Sequence, residues 1–395
     1  MITRESLEDK EIRELAPFAC FSKNINRHMV EKHAYRTEFQ RDRDRIIHSK
    51  AFRRLECKTQ VFLTNKADHL RTRLTHTLEV SQMSRTLATQ LNVNVDLTEA
   101  IALGHDVGHT PFGHIGERTL NNLLEQEGKY GFKHNVQSIR ILELLENKYS
   151  YKGIRLTIPV KEGIIKHTKL PKEELPEYCQ DLYINKPFSV TIEGQIVAII
   201  DELAQITHDL DDYLRFGIIN IEKVKEHSIF NDIRNFYSKE YKIDDIDAYI
   251  NKNVEEDIKK DTLIRCLVDF LVTKLIESSN EKLKLIGNKK AFELDEVYID
   301  FDNELKEKVV DFHKFLYEFL SSNSKIIEMD EKGEFIIQGL FTYYKSVPKR
   351  MPVETYKKYQ ECDGDKIRVI ADYISGMTDR YALEQYQSII DFIKK

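Results

Sequence analysis

The sequence predicts an all-α fold. Apolar residues recur at helical spacing through most of the chain, strand-like alternation is confined to one short stretch, and neither an internal repeat nor a Gly/Ser linker breaks the pattern. With 395 residues, 41% of them apolar, the chain is long enough to bury a substantial core. One mostly helical body with a small peripheral lobe around residues 220–350 is the economical architecture.

The elements follow in order. Across residues 74–91, His76, Val80, Met83 and Leu87 fall at steps of four, three and four and form an inward stripe, with Leu74, Leu78, Leu87 and Leu91 near one side. Asp96 with Glu99 has the form of a capping box opening a helix that runs through Ile101 and His105 until Gly108 and Pro111 break it. Residues 115–127 and 134–147 predict two further helices, and 148–190, rich in Tyr, Lys and Pro, a mixed region with short ones. A strong helix at 191–214 places Val197, Asp201, Ala204 and His208 on one face. Residues 220–260, dominated by Asn, Lys, Asp and Glu, read as peripheral. Helical patterning returns at 262–278 and 303–321, a β-like stretch occupies 334–340, and the last helices cover 354–361, 365–374 and 378–393.

Composition excludes several classes. A net charge of −6 argues against a general nucleic-acid coat or a membrane-surface binder. Cys20, Cys57, Cys179, Cys266 and Cys362 are odd in number and never form a CxxC pair, which suits a reducing compartment and gives no thiolate zinc site. No run approaches the ~18 apolar residues of a membrane span, and no signal-peptide core is present, so a cytoplasmic protein is expected. Charge is uneven, however: from Arg27 to Arg73 there are 13 Lys/Arg against 6 Asp/Glu. Alone such a segment is a solvated face; beside chemistry it becomes a candidate polyphosphate site.

Histidine use supplies the chemistry. Of thirteen histidines, six lie between His69 and His134: His69, His76, His105, His109, His114 and His134. A single histidine on an apolar face is usually a satisfied core residue, but several converging on the turn GHDVGHTPFGH each need partners for both ring nitrogens. Imidazole plus carboxylate is the ligand set of a divalent metal, and the adjacent His105–Asp106 at a helix end can offer one nitrogen and one oxygen to the same ion. His76 and Asp201, inward on two other helices, could complete four ligands, and such a metal lowers the pKa of a bound water. A second His-Asp pair, His208–Asp209, lies about two turns beyond Asp201, roughly 10 Å, which suits a substrate contact better than a ligand of the same ion.

The order His76, His105–Asp106, Asp201 resembles the H…HD…D signature of the HD superfamily. The strings RDRDRIIHSKAFRRLECKTQVF, RTRLTHTLEV, ALGHDVGHTPFGHIGE, EGQIVAIIDELAQITHDLDD and DYISGMTDRYALE narrow the resemblance to the bacterial deoxyguanosine-triphosphate triphosphohydrolase-like proteins, relatives of the mammalian SAM-and-HD-domain dNTP hydrolase. The likeness runs from about residue 35 to 215 and again near 262–280 and 365–386. It implies a single dNTPase-like chain with an HD helical core at about 35–215 and a C-terminal helical region, about 216–395, packed on it. The implied activity is hydrolysis of a deoxynucleoside triphosphate to deoxynucleoside and intact triphosphate, by hydroxide attack on Pα.

Residue by residue, the resemblance assigns His76, His105, Asp106 and Asp201 to the metal, and His114, oriented by Glu117 one turn on, to catalysis. Their plainer alternative is a capping contact at a helix start near residue 115. It places Arg73 at Pα, His109 and His134 along the site, and Gln60 and Asp209 at the sugar 3′-hydroxyl. Gln205 stands where relatives often carry a Tyr that packs on the sugar, a departure bearing on deoxyribose selectivity. Lys349, Arg350, Tyr373 and Arg380 are further candidates at the phosphate end, without a spacing argument. Mn²⁺ or Mg²⁺ leads as cofactor, and Fe, Co, Ni or Zn suits the same N/O set. A homo-oligomer, commonly a hexamer, an allosteric dNTP and single-stranded DNA are the implied partners, and no membrane. Two other readings stay open: an HD phosphodiesterase or nucleotidase acting on monophosphates or cyclic nucleotides, and a dNTP-sensing or nucleic-acid-binding regulator without turnover.

Overall fold

The computed structural model describes all residues except 28–29, 61–70, 169, 171–174, 181, 183–185, 253–254 and 395; His69 lies outside the described residues. Among those described, nineteen α-helices and no β-strand are present. They are α1 (Arg4–Glu14), α2 (Glu38–Ile47), α3 (Lys50–Arg54), α4 (Arg73–Gln90), α5 (Val95–Gly104), α6 (Gly113–Gln126), α7 (His134–Arg140), α8 (Ile158–Lys166), α9 (Glu177–Gln180) and α10 (Ile192–Arg215). The series continues with α11 (Ile221–Lys225), α12 (Ile229–Tyr241), α13 (Ile246–Asn251), α14 (Glu256–Leu283), α15 (Asn303–Ser322), α16 (Ser324–Ser346), α17 (Val353–Glu361), α18 (Lys366–Ser375) and α19 (Asp379–Ile393). The fold is all-α, as the periodicity predicts.

Local chemistry sets the helix starts that matter for the site. Thr72 and Thr75 cap α4 reciprocally, each side chain bonding the other's backbone N–H. Thr191 caps α10 through the Gly194 N–H at 3.2 Å. The cap of α5 is Asn94, whose side chain accepts from the Leu97 N–H at 3.1 Å, and not Asp96. Asp96 and Glu99 instead receive Arg43, at 2.9 and 3.2 Å, because a carboxylate facing a guanidinium on the packed helix α2 gains more there than at its own helix end. This helix stops at Gly104, one residue short of His105.

Two clusters of buried side chains organise the interior. The larger joins α2, α4, α5, α8, α10 and α14 through residues such as Phe39, Val80, Leu87, Ile101, Ile164, Ile196, Ile200 and Leu267. The smaller joins α6, α16, α18 and α19 through Leu120, Leu124, Ile337, Leu340, Ile370, Ile374 and Ala382. Val107 belongs to the first and Phe112 to the second, so the loop between α5 and α6 is held by both.

Three expectations are corrected. The stretch at 334–340 is helical, in the middle of α16: Ile336, Ile337, Leu340 and Phe341 are buried at i, i+1, i+4 and i+5, a helix face that short apolar runs share with strands. Leu78 points to solvent while His76, Val80, Met83 and Leu87 turn inward. Within the polar stretch 220–260, Ile229, Phe230, Ile233 and Phe236 of α12 are buried in the larger cluster, so its core face was masked by the many charges around it.

Candidate metal centre and active-site cleft

Two helices and one turn bring the predicted metal ligands together. His76 comes from the first turn of α4, Asp201 from the middle of α10, and His105 and Asp106 from the turn where α5 ends. The His76 Nε2 lies 3.0 Å from Asp201 Oδ1 and 3.9 Å from Asp106 Oδ2. His105 Nε2 lies 3.4 Å from Asp201 Oδ1 and 3.5 Å from Asp106 Oδ1. Bonds of about 2.1 Å from one ion put neighbouring donors about 3.0–3.5 Å apart, so His76, His105 and Asp201 fit a shared cation, with Asp106 reaching it through Oδ1 beside His105 while its Oδ2, 3.9 Å from His76, accepts from Arg73.

The electrostatics fit as well. His105 hydrogen-bonds the Ala102 carbonyl through Nδ1 at 2.6 Å, which fixes Nε2 as the metal-facing nitrogen, and that buried Nε2 has no hydrogen-bond partner. Burial pulls the His105 pKa down, but the carboxylates of Asp106 and Asp201 outweigh it and raise it to about 9. Burial pushes both carboxylates up, while neighbouring cationic groups hold Asp106 and Asp201 well below the ordinary range. Two ionised carboxylates facing two imidazoles make a pocket that binds either protons or a cation. The residues fit a divalent ion.

His76 is aimed from behind. Its Nδ1 meets Nδ1 of His208 at 3.1 Å, and the other nitrogen of His208 bonds Glu79. Glu79 in turn pairs with Arg71 at 3.3 Å. The second His-Asp pair therefore divides: His208 contacts the candidate ligand His76, while Asp209, on the same helix, is buried with its pKa raised to about 8 by burial and by Asp212. Gln205 is half-buried on α10, and Gln60 is buried with its Oε1 unpartnered. Among the described residues no hydrogen bond joins Gln60 to Asp209.

A second histidine group adjoins the first. Ligand atoms of Asp106, His109 and His134 lie within 4.8 Å of one another. His109 Nε2 contacts Asp106 Oδ1 at 3.0 Å, and its ring stacks on that of His134 with centroids 3.9 Å apart and 16° between planes. Burial, then the nearby Arg73 cation, lowers the His109 pKa far enough to keep it neutral. Glu117 does not hold His114. Its carboxylate accepts from the His134 backbone N–H at 3.0 Å and from His134 Nδ1 at 2.9 Å. The i,i+3 spacing puts Glu117 on the same side of α6 as His114, but His134 at the start of α7 supplies two donors, and these win.

His134 is further fixed by His167, which the sequence analysis did not single out. His167 Nδ1 meets the Ile164 carbonyl at 2.6 Å, so that nitrogen carries the proton and Nε2 is an acceptor. His134 Nε2, 3.0 Å away, must then donate, as must Nδ1 toward Glu117. Its tether to His167 lies in a stretch without helical period, which offered no signal beyond the residue type.

His114 stands exposed to solvent at the start of α6, its ring centroid 6.0 Å from that of His109. Walling by protein, then Arg73, lowers its pKa to about 4. Arg73 is buried; one Nη donates to Asp106 at 2.9 Å, while Nε and Nη2 have no partner among the described residues. Phe112 adopts left-handed backbone, φ 64°, and Gly113 follows at φ 60°. For a bulky residue that conformation stores about 1–3 kcal/mol. Gly108 is needed for close approach: a Cβ there would come within 2.2 Å of the His134 carbonyl and 2.3 Å of the Ser138 nitrogen.

The basic segment is mostly structural. Arg27 and Arg41 pair in the interior with Glu38 and Asp42, Arg36 with Asp44, and Arg43 with Asp96. Among its described residues, Lys58 and Arg73 lie beside the centre, and Arg71 reaches it through Glu79. Of the further candidates, Arg380 pairs with Glu384, Arg350 lies over Phe392, and Tyr373 bonds Tyr381. A groove of about 620 Å³ lined by Arg71, Met83, Asp211, Arg215, Arg265 and Val272 contains none of the candidate ligands. No helix among the described residues is long and apolar enough to cross a membrane.

This histidine–aspartate centre on an all-helical scaffold defines a class. Residues 73–206 match the HD domain family and residues 299–388 the phosphohydrolase-associated domain, and the chain is a metal-dependent phosphohydrolase of that class. It is 39% identical over 370 residues, 90% of this chain and 92% of the relative, to the deoxyguanosinetriphosphate triphosphohydrolase-like protein of Rickettsia bellii (strain RML369-C). It is 37% identical over 380 residues, 95% of this chain and 97% of the relative, to the protein of that name in Nitrosomonas europaea. With the one in Leptospira interrogans it shares 37% over 398 residues, covering 98% and 99%. The chain belongs to the deoxyguanosinetriphosphate triphosphohydrolase-like family.

Proposed function

We propose that this protein hydrolyses deoxynucleoside triphosphates to deoxynucleoside and inorganic triphosphate. The observation that carries the reading is Arg73: a buried guanidinium beside the metal ligands with two donors left without a partner. Buried donors are seldom left unmatched, and a polyanion in the cleft would match them. The names of the curated relatives point to the same substrate class.

On this reading His76, His105, Asp106 and Asp201 hold a divalent ion, with Mn²⁺ or Mg²⁺ suited to the N/O set. Bound there, such an ion supplies Lewis acidity at the phosphoryl group and lowers the pKa of water. Arg73 faces Pα with its free donors and steadies the charge that grows as the P–O5′ bond breaks. The water oxygen bonds Pα as the P–O5′ bond breaks; its proton passes to solvent or to a triphosphate oxygen, and the leaving O5′ gains one from His114. His114, neutral in the free protein, acquires its proton as the triphosphate's charge arrives, and holds it toward O5′. His134, clamped by Glu117 and His167, holds a second imidazole beside the phosphates. Gln60 and a protonated Asp209 offer hydrogen bonds to the sugar.

Residues 35–215 form the catalytic core in this reading, with 216–395 packed on it. The resemblance extends the proposal to a homo-oligomer, activation by a second dNTP and affinity for single-stranded DNA; light scattering, sigmoidal kinetics and a salt-sensitive mobility shift test these in turn. The central test is incubation of pure protein with each dNTP and Mn²⁺ or Mg²⁺, with products resolved. Triphosphate and deoxynucleoside should appear together. Release of phosphate or pyrophosphate in their place rejects the reaction.

A further inference from the structure

The segment that matches the phosphohydrolase-associated domain supplies none of the candidate ligands, yet one of its carboxylates reaches the cleft. Asp379 opens α19 and is buried. Its Oδ2 accepts from the Thr59 backbone N–H at 2.8 Å and from the Thr59 hydroxyl, and its Oδ1 accepts from the Phe112 N–H at 3.0 Å. Thr59 immediately precedes Gln60. Phe112 is the left-handed residue two positions before His114, and no side chain of its own loop caps the helix that starts there.

The two segments gripped by Asp379 also meet each other. A Cβ on Gly113 would lie 3.2 Å from the Gln60 carbonyl and 3.6 Å from Arg73 Nη2, so the turn, Gln60 and the free edge of Arg73 are layered in contact. Lys58 adds a second link: its ammonium donates to the Ser375 carbonyl of α18 at 2.9 Å and to the His109 carbonyl. The Lys58 carbonyl in turn accepts the Arg73 N–H at 3.0 Å. Without an external acceptor, the Phe112 amide would have to bury an unmatched donor in a backbone conformation that a bulky side chain disfavours.

We propose that Asp379 is a positioning residue for the reaction: from the C-terminal segment its carboxylate fixes Thr59 and Phe112, and through them places Gln60 and His114 around the cleft. The proposal rests on the dNTP hydrolase reading only for its kinetic arm. Asp379→Asn is nearly isosteric, but its single carbonyl oxygen can serve Thr59 or Phe112 and not both, and its amide presents a donor to the one left over.

The test compares Asp379→Asn with Asp372→Asn. Asp372 lies in the same segment but is spent on Arg140, at 2.7 Å, and on Gln137. Misplacement of a reacting group by about 1 Å costs roughly 10²-fold, so kcat of Asp379→Asn should fall by about that factor, with KM and Mn²⁺ affinity within about threefold of wild type. Asp372→Asn should keep kcat within about threefold even where its Tm drops.

A readout independent of turnover is the His114 imidazole resonance in histidine-labelled full-length protein, assigned by its loss in His114→Gln. It should shift or split in Asp379→Asn and stay in place in Asp372→Asn. Should Asp379→Asn fail to fold, Thr59→Val removes one of the three bonds and should lower kcat and move the resonance in the same direction, by less. Equal kcat losses in the two aspartate variants, or an unmoved resonance with full kcat, overturn the proposal. If wild-type protein releases triphosphate from no dNTP, the substrate reading falls, and the resonance alone decides the placement of His114.

Discussion

Replacing Arg73 by methionine separates its cost to the fold from its use in the cleft. Arg73 is 1% exposed, with one Nη on Asp106 at 2.9 Å and with Nε and Nη2 unmatched among the described residues. Each hydrogen bond to a charged partner contributes about 1.5–3 kcal/mol, so two bonds from the free donors to Pα come to about 3–6 kcal/mol. At about 1.4 kcal/mol per decade, Arg73→Met should lower kcat/KM by about 10²–10⁴-fold. Stability should move far less. Two unmatched buried donors each cost about 1–3 kcal/mol in the ligand-free protein, and removing them offsets the loss of the Asp106 pair. The assay is triphosphate release under kcat/KM conditions with metal present, alongside urea unfolding of the same samples. A variant within about threefold of wild-type kcat/KM would refute the assignment of those donors to substrate. A variant that loses both activity and several kcal/mol of stability would show instead that Arg73 serves the fold.

Three other outcomes are expected. Asp209 has a folded pKa of about 8 against an ordinary 3.8, so the folded state keeps a proton that the unfolded chain releases, and stability falls as pH rises from about 4 to 8. Asp209→Asn should flatten that fall by up to about 1.4 kcal/mol per pH unit in urea titrations at pH 5, 6, 7 and 8; an unchanged slope would place the group elsewhere. Loss of the imidazole in His208→Ala frees His76 to rotate and should weaken Mn²⁺ binding about 10–100-fold by calorimetry, and wild-type affinity would remove His208 from the centre. In Gly108→Ala the new methyl meets backbone 2.2 and 2.3 Å away, and the shift should lower stability by at least about 1–3 kcal/mol; a Tm equal to wild type would contradict the packing of this loop on α7.

The parts of this molecule legible in the sequence are those where short-range pattern and chemistry coincide. His76 sits on an inward stripe four residues from Val80, and His105–Asp106 mark a helix end, so both the scaffold and the donor set could be read along the chain. What periodicity misses is choice among competing partners. Glu117 has the spacing to serve His114 but is taken by His134, and Asp96 has the spacing of a cap but is taken by Arg43. Both choices are made by residues brought close only by tertiary packing. The 334–340 run shows the same limit for secondary structure, since a few apolar residues fit either period and only the helices on either side settle it. His167 carries no local signature, and the string that contains Asp379 gives no sign of what its carboxylate holds; both act through long-range contacts.

The pairing of Glu117 with His134 has a chemical consequence for His114. Glu117, engaged by His134, only partly offsets the surrounding protein and Arg73, which lower the His114 pKa to about 4. In the proposed reaction proton and substrate then arrive together, because a polyanion beside the ring reverses the repulsion from Arg73 and His134. On that reading the groups that disfavour a charged His114 in the empty protein are those that would face the triphosphate, and the acid is charged where there is an O5′ to receive its proton. The cleft thereby ties protonation to occupancy without a moving part, through the placement of Glu117 seventeen residues before its partner.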